Sequence, residues 1–179
     1  MEIRKAKLED LSAICRIGYQ LSLDMSALEP DYFAVAEQRE APMREAILQE
    51  NKEIFLAEDL GEVIGFACVW EQQTKEEENY LIARRFAYLS DLVIMPKGRG
   101  KGVGGALLEA CKGWAKARGL ERMKLDSLTR NQVANHLYER EGFRPVSQSM
   151  WACLLYTSLR CIPPVQPIPM VSWRLSCSR

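Results

Sequence analysis

The segment Arg99-Gly100-Lys101-Gly102-Val103-Gly104-Gly105 concentrates the chemistry this sequence can do. Glycines admit positive φ and let backbone N–H groups approach an anion with no Cβ in the way. The run that follows places Val103, Ala106, Leu107, Ala110, Cys111, Trp114 and Ala117 on one face, the pattern of an amphipathic helix ending at Gly119. Its first turn offers unpaired N–H groups and a positive dipole end, and Arg99 and Lys101 offer counter-charge. Together these read as a phosphate site. A Walker-A loop needs Gly-Lys followed by Ser or Thr, which Val103 and Gly104 deny.

Gly100-x-Gly102-x-x-Gly105 also satisfies the dinucleotide fingerprint, with Asp126 about 20 residues on, as that fingerprint asks. A nicotinamide-dependent oxidoreductase is therefore an alternative. Three features weigh against it. Pro96-Lys97-Gly98-Arg99 separates the glycines from the preceding strand. The loop is more basic than a pyrophosphate on a Rossmann turn requires. One β-α-β unit is visible where a dinucleotide fold needs two halves.

The elements that must position this loop follow from periodicity. Glu2 to Ala6 alternates as a first strand, and Leu8-Glu9-Asp10 opens a helix carrying Leu11, Ile14, Cys15, Ile17, Gly18 and Leu21. Met43, Ala46, Ile47 and Glu50 mark a second helix with Pro42 near its first turn. Ile54–Glu58 and Val63–Trp70 form a hairpin across Asp59-Leu60-Gly61-Glu62. Gln72 to Asn79 reads as a solvated loop or strand end, and Ala87 to Met95 as a strand stopped by Pro96. After the glycine loop and its helix come a strand over Arg122–Leu128, a short helix over Asn131–Glu141 stopped by Gly142, and a last strand over Phe143–Trp151. The order β-α-α-β-β-β-α-β-α-β implies a mixed α/β (α+β) domain, helices flanking a mostly antiparallel sheet.

Two motifs in this order carry a family resemblance. Arg99-Gly100-Lys101-Gly102-Val103-Gly104 resembles the Arg/Gln-x-x-Gly-x-Gly/Ala signature of the GNAT acetyltransferase superfamily, preceded by a strand ending Leu92-Val93-Ile94. Asn131-x-x-Ala134-x-x-x-Tyr138-x-x-x-Gly142-Phe143 resembles a second motif found downstream of that loop. The resemblance covers about Met1 to Trp151 and is sharpest from Tyr88 to Phe143. It implies acetyl-CoA as acyl donor, held at the pyrophosphate by the Arg99–Gly104 backbone, with Gly105 and Ala106 beginning the helix beneath. It implies that Leu92, Val93 and Ile94 lie on a strand splayed from its neighbour, pairing with pantetheine, and that Asn131 bonds the cofactor arm. Tyr138 matches the usual general acid. The implied function is N-acetyl transfer to a primary amine of a small molecule or peptide, by direct attack in a ternary complex. A non-catalytic acyl-CoA-binding module is a further alternative, against which Asn131 and Tyr138 argue.

A lysine-like ammonium, with a pKa of ~10.4, must lose a proton before it can attack a thioester. Asp91, polar in an apolar strand, is a base acting through water or a group satisfied by neighbouring backbone. An ordinary Asp pKa of ~3.9 is poor for a base at neutral pH unless burial raises it. Glu58 is a weaker candidate. His136, the only histidine, sits two residues before Tyr138 on one helix and so points away from it. Tyr32 and Phe33, with Glu29 and Asp31, could line an acceptor pocket within Leu21–Glu50.

Composition bounds the rest. Lys plus Arg and Asp plus Glu number 24 each in 179 residues, so no global field recruits nucleic acid or a membrane surface. No apolar run approaches the ~20 residues of a membrane helix, and the polar start Met1-Glu2-Ile3-Arg4-Lys5 lacks a signal peptide's apolar stretch. A cytoplasmic protein without a metal is expected, and a homodimer stays open. Cys15, Cys68 and Cys111 read as small buried hydrophobes. From Cys153 the character changes, with prolines at 163, 164, 167 and 169. Residues 1–152 are therefore expected to form the acetyltransferase domain and 153–179 an unstructured tail. Cys153-Leu154-Leu155-Tyr156-Thr157-Ser158 also resembles a translated transposon adapter used for sequencing libraries, so that tail is expected to be an assembly artefact, with a real disordered extension as the alternative.

Overall fold

The computed structural model describes residues 1–74 and 82–151. The acidic run Glu76-Glu77-Glu78 and the segment from Cys153 lie outside the described residues. The elements run β1 (Glu2–Lys5), α1 (Leu11–Leu28), α2 (Glu40–Leu48), β2 (Lys52–Asp59), β3 (Glu62–Gln73), β4 (Arg85–Ile94), α3 (Val103–Ala117), β5 (Met123–Leu125) and α4 (Gln132–Arg140). They belong to one compact unit, Met1–Arg144. The five strands lie in sequence order in one sheet. β1 through β4 pair antiparallel, and β5 joins β4 in parallel. A right-handed α3 crossover is the ordinary way to connect such a parallel pair.

The β2–β3 hairpin turns at Leu60 and Gly61, both at positive φ (51° and 78°), the left-handed geometry that matches strand twist. Two apolar layers sandwich the sheet. On one face Val103, Leu107, Leu108, Cys111 and Trp114 of α3 pack on Phe55, Ala57, Ala67, Val69, Ala87 and Leu89. On the other, Leu11, Ile14 and Ile17 of α1 and Met43 and Ala46 of α2 pack on Ile54, Leu56, Phe66, Cys68 and Val93. Cys68 and Cys111 are buried as expected, while Cys15 is half-buried. Among the described residues no helix is long and apolar enough to cross a membrane.

Within β4 the period-two alternation breaks once. Val69 pairs Leu89 and Cys68 pairs Asp91, which leaves Ser90 as an extra residue on the β4 side. Directly opposed residues share a face. Leu89 therefore sits with Val69 against α3, while Asp91 sits with Cys68 against α1. Tyr88, opposite Trp70, shares the face of Asp91. Without the bulge, Tyr88 and Asp91 would lie on opposite sides of the sheet.

The strand expected over Phe143–Trp151 does not form. Pro145 has no N–H for a ladder. Val146 and Met150 are both more than four-fifths exposed, so the alternation there buries nothing. The Phe143 N–H instead donates to the Tyr138 carbonyl at 2.9 Å, and the Gly142 N–H donates to that of Glu139 at 3.0 Å. With Gly142 at φ 88°, these bonds close α4 as a Schellman motif. The strand expected over Arg122–Leu128 is also shorter, reduced to β5.

Candidate active site

The loop between β4 and α3 has the shape its glycines demand. Pro96–Gly98 makes one 3-10 turn, and Gly100 and Gly102 follow at φ 74° and 80°. Gly102 is the N-cap of α3, and no side chain caps the helix. A Cβ on Gly100 or Gly102 would meet no protein atom within 4 Å. Their glycines thus serve backbone conformation and leave room for a ligand. Gly104 differs, because a Cβ there would fall 2.8 Å from a Leu137 methyl and 3.3 Å from Ile94. It lets α3 close on β4 and α4. Val103 is 2% exposed and faces the core, so only its main chain can serve a ligand.

Arg99 does not stand free. Its Nη2 donates to Asp24 on α1, and its Nε donates to the Ile94 carbonyl at 3.0 Å. Arg130, just before α4, pairs with Glu29 at the end of α1 at 3.2 Å. The last turns of α1 are thus tied to both segments that the sequence motifs single out. Lys101 is exposed.

β4 and β5 pair at Ala87–Met123, Tyr88–Lys124 and Leu89–Leu125 and no further. β4 continues from Ser90 to Ile94 with no strand on that edge among the described residues. Leu92, Val93 and Ile94 therefore lie on the diverging part of β4, with Leu92 and Ile94 packed against the α3 layer and Val93 in the α1 layer.

Tyr138 lies on α4. Its ring packs against the α3 core and meets Phe143 edge-on, with centroids 5.9 Å apart. Burial pushes the phenol up to about 12, so it stays protonated at neutral pH. The Phe143 contact is the hydrophobic partner of the Schellman closure. The Tyr-x-x-x-Gly-Phe spacing is thereby a helix stop that pins the tyrosine. Asn131 is the N-cap of α4, its Oδ1 accepting from the Ala134 N–H at 3.2 Å. Its side-chain amide remains able to donate.

Asp91 accepts from the Ser90 hydroxyl at 2.6 Å. Burial raises its carboxyl above the usual carboxylate range, and the Ser90 bond opposes that rise. Glu58 is not brought here: it accepts from Arg4 at 2.8 Å, on β2. His136 lies on the surface beside Glu139, at 3.7 Å. Tyr32 and Phe33 stack edge-on at 4.8 Å, but Glu29 is engaged by Arg130. Asp126 follows β5 and accepts from the Tyr88 hydroxyl at 2.8 Å. A dinucleotide fold is not what surrounds it, since β4–β5 is the sheet's one parallel pair among the described residues.

Residues that sequence reasoning passed over also matter. Ser90 could not be singled out without the bulge. Asn135 accepts from Ser127 Oγ at 2.6 Å and donates to the Leu128 carbonyl at 3.0 Å, fixing the loop between β5 and α4.

The model of the acetyltransferase (GNAT) family matches residues 22–143, from mid-α1 to the Schellman phenylalanine. This chain belongs to the GNAT family. The uncharacterised N-acetyltransferase YhfO of Bacillus subtilis is 30% identical over 160 residues, covering 86% of this chain and 97% of that protein. The GNAT fold is matched by a solved tetramutant of the BH1408 protein from Bacillus halodurans. Its TM-score is 0.79 at 24% identity, with 86% of this chain and 100% of that chain covered. The aminoglycoside N-acetyltransferase AAC(6')-Iy in complex with CoA superposes with a TM-score of 0.67 at 19% identity, over 85% of this chain and 98% of that one. As a GNAT member the chain is an acyltransferase, and its mixed sheet flanked by helices is that of the family.

Proposed function

We propose that this GNAT enzyme acetylates a primary amine of a small molecule or peptide, using acetyl-CoA, by direct attack in a ternary complex. One observation carries the reading. β4 leaves β5 after Leu89 and, past one 3-10 turn at Pro96–Gly98, leads into an uncapped glycine turn, so an unpaired strand edge and a turn suited to a phosphate follow one another along the chain. The residues fit CoA: positive-φ glycines with open space before them, an uncapped α3 N-terminus, Lys101 beside it, and Asn131 with an amide to donate. The CoA complex of a protein with this fold supports the same donor.

Acetyl-CoA supplies the acetyl thioester: the amine nitrogen bonds to its carbonyl carbon, the C–S bond breaks, and the sulfur leaves carrying a proton. The chain's residues supply the rest. Asp91, raised by burial, takes the ammonium proton through water, which makes the nitrogen a nucleophile. Main-chain N–H groups on the diverging edge of β4 stabilise the developing oxyanion. Tyr138, neutral up to about 12, delivers a proton to the departing sulfur. Leu92, Val93 and Ile94 offer main-chain groups to the pantetheine, and the Arg99–Gly105 backbone holds the pyrophosphate.

The test is calorimetric titration of the full chain with acetyl-CoA and separately with NADH. Thiol release is then followed with a diamine, an aminoglycoside and a peptide α-amine. Acetyl-CoA binding with amine-dependent thiol release is expected. Binding of NADH alone would overturn the reading, and acetyl-CoA binding with no release from any amine would leave a non-catalytic CoA module.

A further inference from the structure

Resting on the reading of Asp91 as the base, we propose that Ser90 is its positioning residue. The bulged hydroxyl ties down one carboxylate oxygen and presents the other to the water that relays the amine's proton.

Three geometric facts place Ser90 in this role. It is the residue in excess where β3 and β4 fall out of step, so it moves Asp91 from the α3 face to the α1 face. Its Oγ lies 2.6 Å from Asp91 Oδ2 and 3.3 Å from the Cys68 carbonyl. A hydroxyl has one proton, and the shorter, charge-assisted contact claims it. Asp91 Oδ1 receives no hydrogen bond from the protein among the described residues, so it is the oxygen available to a relay water. Finally, Ser90 begins the stretch of β4 that β5 no longer pairs, so the tether stands where that stretch starts.

The surroundings leave few competitors for the carboxylate. Opposite it on β3 is the Cys68 thiol, pushed up to about 12 by burial and neutral. On β4 the face is shared with Tyr88, whose phenol is likewise up at about 12 through burial and its bond to Asp126. Lys52 on β2 lies over Trp70, 5.4 Å from its ring. Lys124 on β5 lies over Tyr88 and 3.8 Å from Asp126. On α1, Asp24 is paired with Arg99 and accepts from Gln20. α2 adds Glu40, Arg44 and Glu45, with Arg44 facing Glu40 and Glu45 accepting from Gln49. The proton moves from the substrate ammonium nitrogen to water, and from that water to Oδ1. It leaves a neutral amine and a protonated Asp91, which solvent later restores.

The experiment is the carboxyl titration of Asp91 in the full-length protein, followed by carbon NMR of Asp-labelled protein. The resonance is assigned by its loss in Asp91→Asn. Ser90→Ala should tighten proton binding at Asp91 about tenfold, the effect of losing one hydrogen bond to the charged form. Ser90→Thr, which keeps a hydroxyl, should restore the original titration. A purely structural role for the bulge would let both variants titrate as the parent does, and that result overturns the proposal whether or not a chosen acceptor turns over. Acetyl transfer to 1,3-diaminopropane then separates the two readings. The acid limb of kcat/KM should move with the NMR midpoint in Ser90→Ala and vanish in Asp91→Asn. An acid limb that persists in Asp91→Asn removes the base assignment itself, and with it the role of Ser90.

Discussion

The Arg99 side chain of the glycine loop is bonded to Asp24, 75 residues earlier on α1. Both groups are partly exposed, so the pair adds little to folding, about 0–1 kcal/mol. Its effect is on charge. Asp24→Asn is expected to leave the denaturant midpoint nearly unchanged and to tighten CoA binding, because Arg99 no longer shares its charge with a carboxylate. Arg99→Ala should weaken CoA binding. Calorimetry at two salt concentrations checks both, and unchanged affinity in both variants would remove Arg99 from the pyrophosphate site.

The glycines of the loop should separate by effect. Gly102→Ala places a side chain at φ 80°, a strain of roughly 1–2 kcal/mol, and puts a methyl where the ligand backbone contact would form. Weaker CoA binding is expected. Gly104→Ala meets Leu137 at 2.8 Å inside the packed α3–α4 contact, and overpacking there costs about 1–3 kcal/mol of stability. Parallel unfolding and binding curves distinguish the two.

Tyr138→Phe is expected to lower kcat by about 10²–10⁴ while leaving acetyl-CoA binding intact. The same phenol has a folding signature. Its folded value is near 12, above the ordinary ~10 of an unfolded chain. The proton is therefore held more tightly in the folded state. That stability is complete below about pH 10 and is lost as pH rises toward 12. Tyr138→Phe should flatten part of the alkaline fall in the unfolding midpoint; an identical alkaline profile would contradict the burial of the phenol.

Asp10 anchors the first turn. It accepts from Arg4 Nη1 and Nη2 at 2.8 Å each and from the Lys7 N–H at 2.8 Å, while only 7% exposed. Arg4 holds its carboxyl below the usual range. A depressed folded value means the stabilisation is present above the unfolded Asp value of ~3.9 and is lost as pH falls through the folded one. Asp10→Ala should cost about 2–4 kcal/mol at neutral pH and progressively less in acid, read from urea midpoints at several pH values.

Most of the scaffold was legible because its signals are local. The period of Leu107, Cys111 and Trp114, the break at Pro96 and the stop at Gly142 each act within a few residues. The conformation of the glycine loop was legible for the same reason, since positive φ at Gly100 and Gly102 is a property of single positions. The partners were not. Ser90 looks like any strand serine until β3 supplies a register against which it is extra. Nothing near Arg99 in sequence announces Asp24. Phe143–Trp151 failed in the opposite sense: its alternation is strand-like, but a strand is a contract with a neighbour, and Pro145 and the exposed Val146 and Met150 keep none.

The two apolar layers lie on opposite faces of one sheet and have no residue in common. Substitutions separated by a sheet and sharing no partner tend to add independently. Changes among the side chains of α1 and α2, where an acceptor would be recognised, can then accumulate without cost to the α3 layer that supports the glycine turn. Such a molecule can change its taste in amines over evolutionary time and keep its donor. The α1 ion pairs to Arg99 and Arg130 are the points where that freedom should end.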